Sequence, residues 1–197
     1  MIAPVASISH EEVAFSSLSK GRVGMVGLIL AESAIFTIFV VAYLFYLGKS
    51  LTGPTPRQAL EVPIVNTICL LSSSATITLA VRALGRDRKA SFGMWWLFTI
   101  ALGAYFLAGT GREWGRLIHE GLTITTNLFG TTFYSLVGLH ASHVVVGLLA
   151  LTLVLVFTLR GAVKSNHVER VEVLALYWHF VDAVWVVVFT VVYIIGR

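Results

Sequence analysis

The sequence predicts an all-α integral membrane protein in which five transmembrane helices form one bundle. Hydrophobic residues make up 57% of its 197 positions and charged residues only 12%, whereas about 25% of the residues in a soluble domain are charged. The mean hydropathy is +0.86. Five apolar segments, separated by short polar connections, each exceed the about 18 residues that a membrane-spanning helix requires. A soluble fold is therefore excluded.

Each apolar segment ends where residues typical of a connection begin. The first ends before "GKSLTGPTPRQA", the second at "RALGRDRKAS", the third at "REWGRLIHEGLTITTN" and the fourth at "RGAVKSNHVERVE", while the fifth runs almost to the last residue. The predicted spans, in this order, are residues 23–47, 60–81, 92–111, 128–159 and 173–195. The fourth is long enough that we expect it to tilt or to extend beyond the membrane. No linker or internal repeat divides the chain, which predicts a single domain over residues 1–197.

The distribution of basic residues predicts the orientation of the helices. Of the 14 Lys and Arg residues, nine fall on the side of the N-terminus and five on the opposite side. The nine are Lys20, Arg22, Arg82, Arg86, Arg88, Lys89, Arg160, Lys164 and Arg170, and the five are Lys49, Arg57, Arg112, Arg116 and Arg197. Basic residues accumulate in cytoplasmic loops. We therefore predict a cytoplasmic N-terminus, with residues 1–21 as a cytoplasmic segment, and a C-terminus outside.

Charge and cysteine content exclude several classes of function. The net charge of +4 comes from basic residues in short loops that orient a membrane protein, and no base-reading or phosphate-binding motif is present, so no nucleic-acid partner is expected. The single cysteine, Cys69, excludes an intrachain disulfide and a thiolate cluster for copper, zinc or iron–sulfur.

A glutamate lies deep in the first span. Glu32 follows Arg22 by ten residues, which places it about 15 Å from the cytoplasmic end of a helix. A carboxyl group at that depth must be protonated or well paired. Phe36, Phe39 and Tyr43 continue its stripe of the helix. The residue alone leaves structural hydrogen bonding and proton handling equally open.

The fourth and fifth spans also contain ionisable side chains, each flanked by residues suited to helix packing. In the fifth, Trp178, Asp182 and Trp185 share one face and His179 lies at its edge. In the fourth, two histidines three residues apart, His140 and His143, accompany small residues that permit close helix approach. Taken singly, such histidines are more often structural than metal-binding, and such aromatic residues more often pack than hold a cofactor.

These features fit an accessory subunit that packs against a larger membrane enzyme. They also fit a self-contained haem protein, with His179 and either His140 or His143 as axial ligands from neighbouring helices. Two histidines three apart on one helix point the same way, so they cannot ligate opposite faces of one haem. A transporter is disfavoured, because no Gly- or Pro-broken helices occur in corresponding positions of two halves.

Four segments in collinear order resemble subunit III of the haem-copper terminal oxidases, in its short five-helix bacterial form. They are "GLILAESAIFTIFVVAYLFY" at 27–46, "REWGRLIHEG" at 112–121, "FYSLVGLHASHVVVG" at 133–147 and "YWHFVDAVWVVVFTVVYI" at 177–194. The last is the most specific, and the resemblance runs from about Arg22 to the C-terminus. The second resembles a loop of the family that carries a glutamate and an aromatic residue.

The resemblance implies a non-catalytic subunit of a proton-translocating oxidase that reduces oxygen to water in aerobic respiration. Haem and copper would belong to partner subunits I and II and not to this chain. Its role would be to stabilise subunit I and to support proton uptake at the cytoplasmic entrance of a pathway in that subunit, with Glu32 as the reactive carboxyl group. Subunit I would be a direct partner, with subunit II and small subunits nearby. The complex would lie in a bacterial plasma membrane, with phospholipid bound in a V-shaped cleft of this chain.

The resemblance also implies roles for the remaining polar and aromatic residues. A polar constellation between helices would comprise Glu113, His140, His143, His179 and Asp182. Packing or lipid-cleft aromatic residues would be Phe36, Trp178 and Trp185. We expect His179 and Asp182 to form hydrogen bonds across helices, with His143 or Glu113 as partners.

Three positions depart from the family pattern or bear on the branch within it. Thr110 stands where the family often has glutamine, and Arg112 adds a charge before Glu113. The quinol-oxidising branch often has aspartate where this chain has Glu32, which favours a cytochrome c oxidase. Subunit III of a quinol oxidase and the related subunit of a nitric oxide reductase are the alternatives.

Overall fold

The computed structural model describes residues 19–50, 56 and 60–196, and over these residues the regular structure is entirely helical. The five long helices are α1 (Lys20–Tyr46), α2 (Ile64–Gly85), α3 (Lys89–His119), α4 (Leu128–Leu159) and α5 (Val168–Phe189). A 3₁₀ turn, Ser165–His167, precedes α5, and a π-helical segment, Thr190–Ile195, continues it. Five helical segments are long and apolar enough to cross a membrane, which confirms the predicted fold class.

The observed helix bounds follow the predicted spans, with the largest difference in the third. The fourth span matches α4, whereas α3 continues to His119 and includes most of "REWGRLIHEG", which was wrongly predicted to be a loop. Buried Leu117 and the hydrogen bond between Glu113 and Tyr193 tie these added turns to the bundle. Hydropathy marks the apolar part of a helix and not its end. Residues 1–18 of the predicted cytoplasmic segment lie outside the described residues.

The helices differ in how far they are enclosed by their neighbours. Within the most apolar 18 residues of each segment, 50% are buried in Ser165–Ile195 but only 6% are buried in α1. Helix α5 packs against α1, α2 and α4, and α1 packs against α4 and α5. Arg22 of α1 also forms an ion pair with Glu172 of α5. Helix α5 is therefore central, and α1 is a peripheral helix whose exposed surface is mostly apolar.

Two glycines make room for the side chain that fills the centre of the bundle. Trp178 of α5 is fully buried. A Cβ atom added at Gly103 of α3 would lie 2.8 Å from the indole, and one added at Gly147 of α4 would lie 2.7 Å from it. Real Cβ atoms essentially never approach that closely, so the indole is held between the backbones of two helices.

We expect the predicted orientation to be visible in cysteine labelling. In a background with Cys69→Ala, Arg86→Cys lies between α2 and α3 and Thr125→Cys lies between α3 and α4. An impermeant thiol reagent should reach the first only from the cytoplasmic side and the second only from outside, because basic residues cluster in cytoplasmic connections. The opposite labelling pattern would invert the topology and would place Glu32 in the outer half of the membrane.

Candidate functional site: polar contacts between the helices

Glu32 of α1 and His143 of α4 contact each other across a helix interface. His143 Nε2 lies 3.1 Å from Glu32 Oε2, and His143 Nδ1 lies 2.8 Å from the carbonyl oxygen of Leu139, one turn earlier in α4. The side chains of His143 and Glu32 are 14% and 23% exposed. The carboxyl group whose depth required protonation or a partner therefore has a partner, a histidine from the neighbouring helix.

Aromatic residues from two helices surround this contact. Phe36, one turn beyond Glu32, is 5% exposed, and its ring centroid lies 5.0 Å from that of His143 and 6.4 Å from that of Phe180. The hydroxyl group of Tyr177 donates to the backbone carbonyl oxygen of His143 at 3.2 Å. The pair therefore lies where α1, α4 and α5 meet, with apolar rings around it.

Ser74 of α2 joins the two ionisable side chains of α5. Its hydroxyl group donates to Asp182 Oδ2 and lies 2.9 Å from His179 Nδ1. Thr78 Oγ1, one turn later in α2, lies 3.4 Å from His179 Nε2. Asp182 is 3% exposed, and within the described ranges its Oδ1 has no hydrogen-bond partner.

The prediction that His143 or Glu113 would be the hydrogen-bond partner of His179 and Asp182 is wrong. His143 contacts Glu32 of α1, and Glu113 near the end of α3 bonds Tyr193. Neither forms a hydrogen bond with the two residues, because the side chains of His179 and Asp182 bond hydroxyl groups of α2.

Hydroxyl groups of α2 also accept hydrogen bonds from both tryptophans of the α5 face. Trp178 Nε1 donates to Ser73 Oγ at 2.8 Å, and Trp185 Nε1 donates to Thr67 Oγ1 at 3.1 Å. Sequence reasoning missed this row of α2 hydroxyl groups. The run "SSSATIT" at 72–78, polar residues within an apolar span, was the available signal.

Glu113 lies apart from the other members of the predicted constellation. Tyr193 donates from its hydroxyl group to both carboxyl oxygens of Glu113, at 3.0 and 3.2 Å. A cavity of about 380 Å³ opens beside this carboxyl group, and Glu61, Asn66 and Arg116 are among the residues that line it. The constellation predicted as one group is therefore divided into separate contacts along the bundle.

His140 is enclosed by aromatic rings. It is fully buried, with ring centroids 5.0 Å from Trp185 and 5.8 Å from Phe106. Neither ring nitrogen has a hydrogen-bond partner within the part of the chain that the structure describes. Across those same residues, no group of three or more His, Cys, Asp or Glu side chains is placed to hold a metal ion.

This fold and these contacts define the class of the protein. It is a polytopic helical membrane protein in which buried carboxyl and imidazole groups bond between helices. The chain belongs to the cytochrome c oxidase subunit III family, whose sequence profile matches residues 9–197.

Relatives in this family carry two kinds of name. A cytochrome c oxidase subunit 3 from Bacillus sp. (strain PS3) is 35% identical over 84% of this chain and 81% of its own length. One of the same name from Synechocystis sp. is 39% identical over 87% of this chain and 74% of its own. A quinol oxidase subunit 3 from Bacillus subtilis is 30% identical over 89% of both chains. The chain is therefore a subunit III of the haem-copper oxidases and part of a terminal oxidase complex.

Proposed function

We propose that this chain stabilises subunit I of an aerobic, proton-pumping oxidase and supports the uptake of protons into that subunit. Oxygen would be reduced to water at haem and copper in subunits I and II, and this chain would contribute no redox centre. It would contact subunit I directly, with subunit II and small subunits nearby. Relatives from bacteria support a location in the bacterial plasma membrane.

The observation that carries the proton-uptake role is the environment of Glu32. Its carboxyl group lies within an apolar helix and is mostly buried. It contacts an imidazole and not a permanently charged group such as guanidinium. An imidazole can gain or lose a proton near neutral pH, whereas a guanidinium group cannot. A carboxyl–imidazole pair has the chemistry to pass a proton between its two members, whereas an ion pair with arginine does not.

The peripheral position of α1 supports direct contact with a larger subunit. Its large apolar side chains Leu30, Ile38 and Val41 are 67%, 67% and 57% exposed. Such a face suits lipid or another transmembrane helix, and Glu32 lies within the same helix. An interface with subunit I along this face would place that subunit across α1 from the Glu32 carboxyl group, which faces α4.

A cavity supports the proposal of a bound phospholipid. It has a volume of about 570 Å³ and opens between α1, α2 and α5. Val26, Val81 and Leu176 supply apolar lining, and Arg22, Arg82 and Glu172 also line it, with Glu172 paired to Arg22. An acyl chain suits the apolar walls, and a lipid phosphate suits the guanidinium group of Arg82.

We favour cytochrome c over quinol as the electron donor because glutamate occupies position 32. Subunit III of a quinol oxidase and the related subunit of a nitric oxide reductase are the alternatives. The purified native complex would be tested with reduced cytochrome c and with a quinol, and its visible spectrum recorded. Oxidation of the quinol alone would assign the chain to the other branch.

The contacts of the histidine ring nitrogens disfavour a self-contained haem protein. Both ring nitrogens of His143 and both of His179 lie within hydrogen-bond distance of protein groups, and those of His140 are enclosed by aromatic rings. Axial ligation of haem iron across helices would require these contacts to break. A haem spectrum in the isolated chain that His179→Ala abolishes would restore this class.

Substitutions of Glu32 in the assembled complex test the proton-uptake role. We expect Glu32→Ala to lower turnover at alkaline pH, where protons are scarce, and to shorten the active lifetime of the enzyme. If the carboxyl group acts through its proton, Glu32→Gln should behave like Glu32→Ala, because an amide of similar size cannot exchange a proton. A carbodiimide that reacts with protonated carboxyl groups should also modify Glu32 in preference to surface acids.

The matched control is Thr37→Ala, which removes another polar group of α1 that is exposed and bonds only within its own helix. Its turnover, proton pumping and lifetime should equal those of the wild type. A Glu32→Gln complex with wild-type behaviour would reduce Glu32 to a structural hydrogen-bonding residue. Wild-type behaviour of both Glu32 variants at neutral and alkaline pH would defeat the proton-uptake role.

A further inference from the structure

The contacts of His143 specify where its protons lie. Its Nδ1 is 2.8 Å from the carbonyl oxygen of Leu139, and a carbonyl oxygen accepts hydrogen bonds but cannot donate them. Nδ1 therefore carries a hydrogen atom. In a neutral imidazole only one nitrogen is protonated, so Nε2 is then an acceptor unless the ring is an imidazolium.

The second contact of His143 requires another proton. Nε2 lies 3.1 Å from Glu32 Oε2, and an ionised carboxylate also only accepts hydrogen bonds. A bare Nε2 facing a carboxylate would place two acceptors in contact without a hydrogen bond. One proton must therefore lie between them, either on Nε2 as an imidazolium beside a carboxylate, or on Oε2 as a carboxylic acid beside a neutral imidazole.

Both arrangements leave the pair without net charge. This matters because both side chains are mostly buried and a net charge far from water is strongly unfavourable. Among the described residues, no Lys, Arg, Asp or second Glu forms an ion pair with either side chain. The titratable neighbours are Tyr177 of α5, whose hydroxyl group bonds the His143 carbonyl oxygen, and His140 of α4, which faces the same ring of Phe36.

We propose that Glu32 and His143 together form one protonatable unit that holds a single shared proton, with His143 as the positioning residue for Glu32. This inference rests on the proposed role of Glu32 in proton uptake and adds the residue that sets the protonation of its carboxyl group. The proton moves between Oε2 and Nε2 without a change in net charge. A second proton would make the pair a cation and loss of the shared proton would make it an anion, so arrival of one proton favours release of another.

The tautomer of His143 provides a test that does not depend on turnover. In the intact complex with ¹⁵N-labelled histidine, the His143 signals are assigned by their loss in His143→Gln. We expect Nδ1 to be protonated at neutral and alkaline pH. Replacing Glu32 by leucine should remove the hydrogen-bond shift at Nε2 and leave Nδ1 protonated. An unprotonated Nδ1 with a proton on Nε2 in the wild type would overturn the shared-proton arrangement.

Turnover of single and double variants tests whether the two residues act as a unit. His143→Phe keeps a ring of similar shape and removes both nitrogens. We expect it to reduce turnover at alkaline pH as Glu32→Gln does, and we expect the double variant to lose no more than the worse single variant, as for residues that act together. Losses that multiply in the double variant would make the two contributions independent and would defeat the proposal.

A matched control is Thr152→Ala, which removes an exposed α4 hydroxyl group that bonds only within its own helix. It should retain wild-type turnover and recovery of the complex. The two proposals fail in different ways: unchanged turnover in Glu32→Gln defeats proton uptake whatever the tautomer, while an Nε2-protonated neutral His143 defeats the shared proton even if Glu32→Gln lowers turnover.

Discussion

Replacing Gly147 with valine is expected to prevent recovery of this subunit with its complex. The Cβ atom of the new side chain would lie 2.7 Å from the indole of Trp178. The indole has no room on the other side, because a Cβ at Gly103 would meet it at 2.8 Å. Overpacking of a well-packed core costs about 1–3 kcal/mol, and here the site is limited by backbone on two sides. The measurement is the amount of subunit that copurifies with the oxidase, together with its thermal unfolding in detergent.

A matched control separates overpacking from the general effect of replacing glycine in a helix. Gly27 lies within α1, and a Cβ added there meets nothing within 4 Å. Gly27→Ala should therefore be neutral or stabilising, because alanine favours a helix over glycine by about 0.5–1 kcal/mol. Gly147→Ala should show a smaller loss than Gly147→Val. Equal recovery of Gly147→Val and the wild type would mean that Trp178 is not confined as the structure describes.

The second large effect is expected from Asp182→Leu. This change removes the carboxyl group that accepts a hydrogen bond from Ser74 of α2 and leaves the Ser74 hydroxyl group only its contact with His179. The loss of one such hydrogen bond costs about 0.5–1.5 kcal/mol. Recovery of the subunit with the complex should fall, while turnover per assembled complex should stay near the wild-type value. Both quantities are measured on the same preparations. Normal recovery with greatly reduced turnover would show that Asp182 takes part in the reaction.

Ser74→Ala and Ser72→Ala provide the comparison for this cluster. Ser74 contacts both Asp182 and His179, whereas Ser72, two residues earlier on the same helix, is exposed. We expect Ser74→Ala to lower recovery and Ser72→Ala to leave it unchanged. The Ser74→Ala/Asp182→Leu double variant should lose less than the sum of the single losses, because the two groups share one hydrogen bond.

The helical segments were predictable from sequence because the signal for a membrane span is local. Composition and hydropathy along each segment suffice to identify the five spans, and the predicted fourth span, 128–159, coincides with α4. The end of α3 was not predictable in the same way. The turns at 112–119 carry charges of the kind found in loops, and only long-range contacts, such as that between Glu113 and Tyr193, favour their inclusion in the helix.

The sequence by itself determined that Glu32 needs a proton or a partner, because the cost of a buried charge depends on depth in an apolar segment. It also determined the family, through motifs that are contiguous along the chain. Only the tertiary structure decided that the partner is His143 and that Ser74 of α2 bonds Asp182 and His179. Several histidines and hydroxyl groups had suitable chemistry, and the choice among them depends on which helix faces which, a property of long-range packing that no single segment encodes.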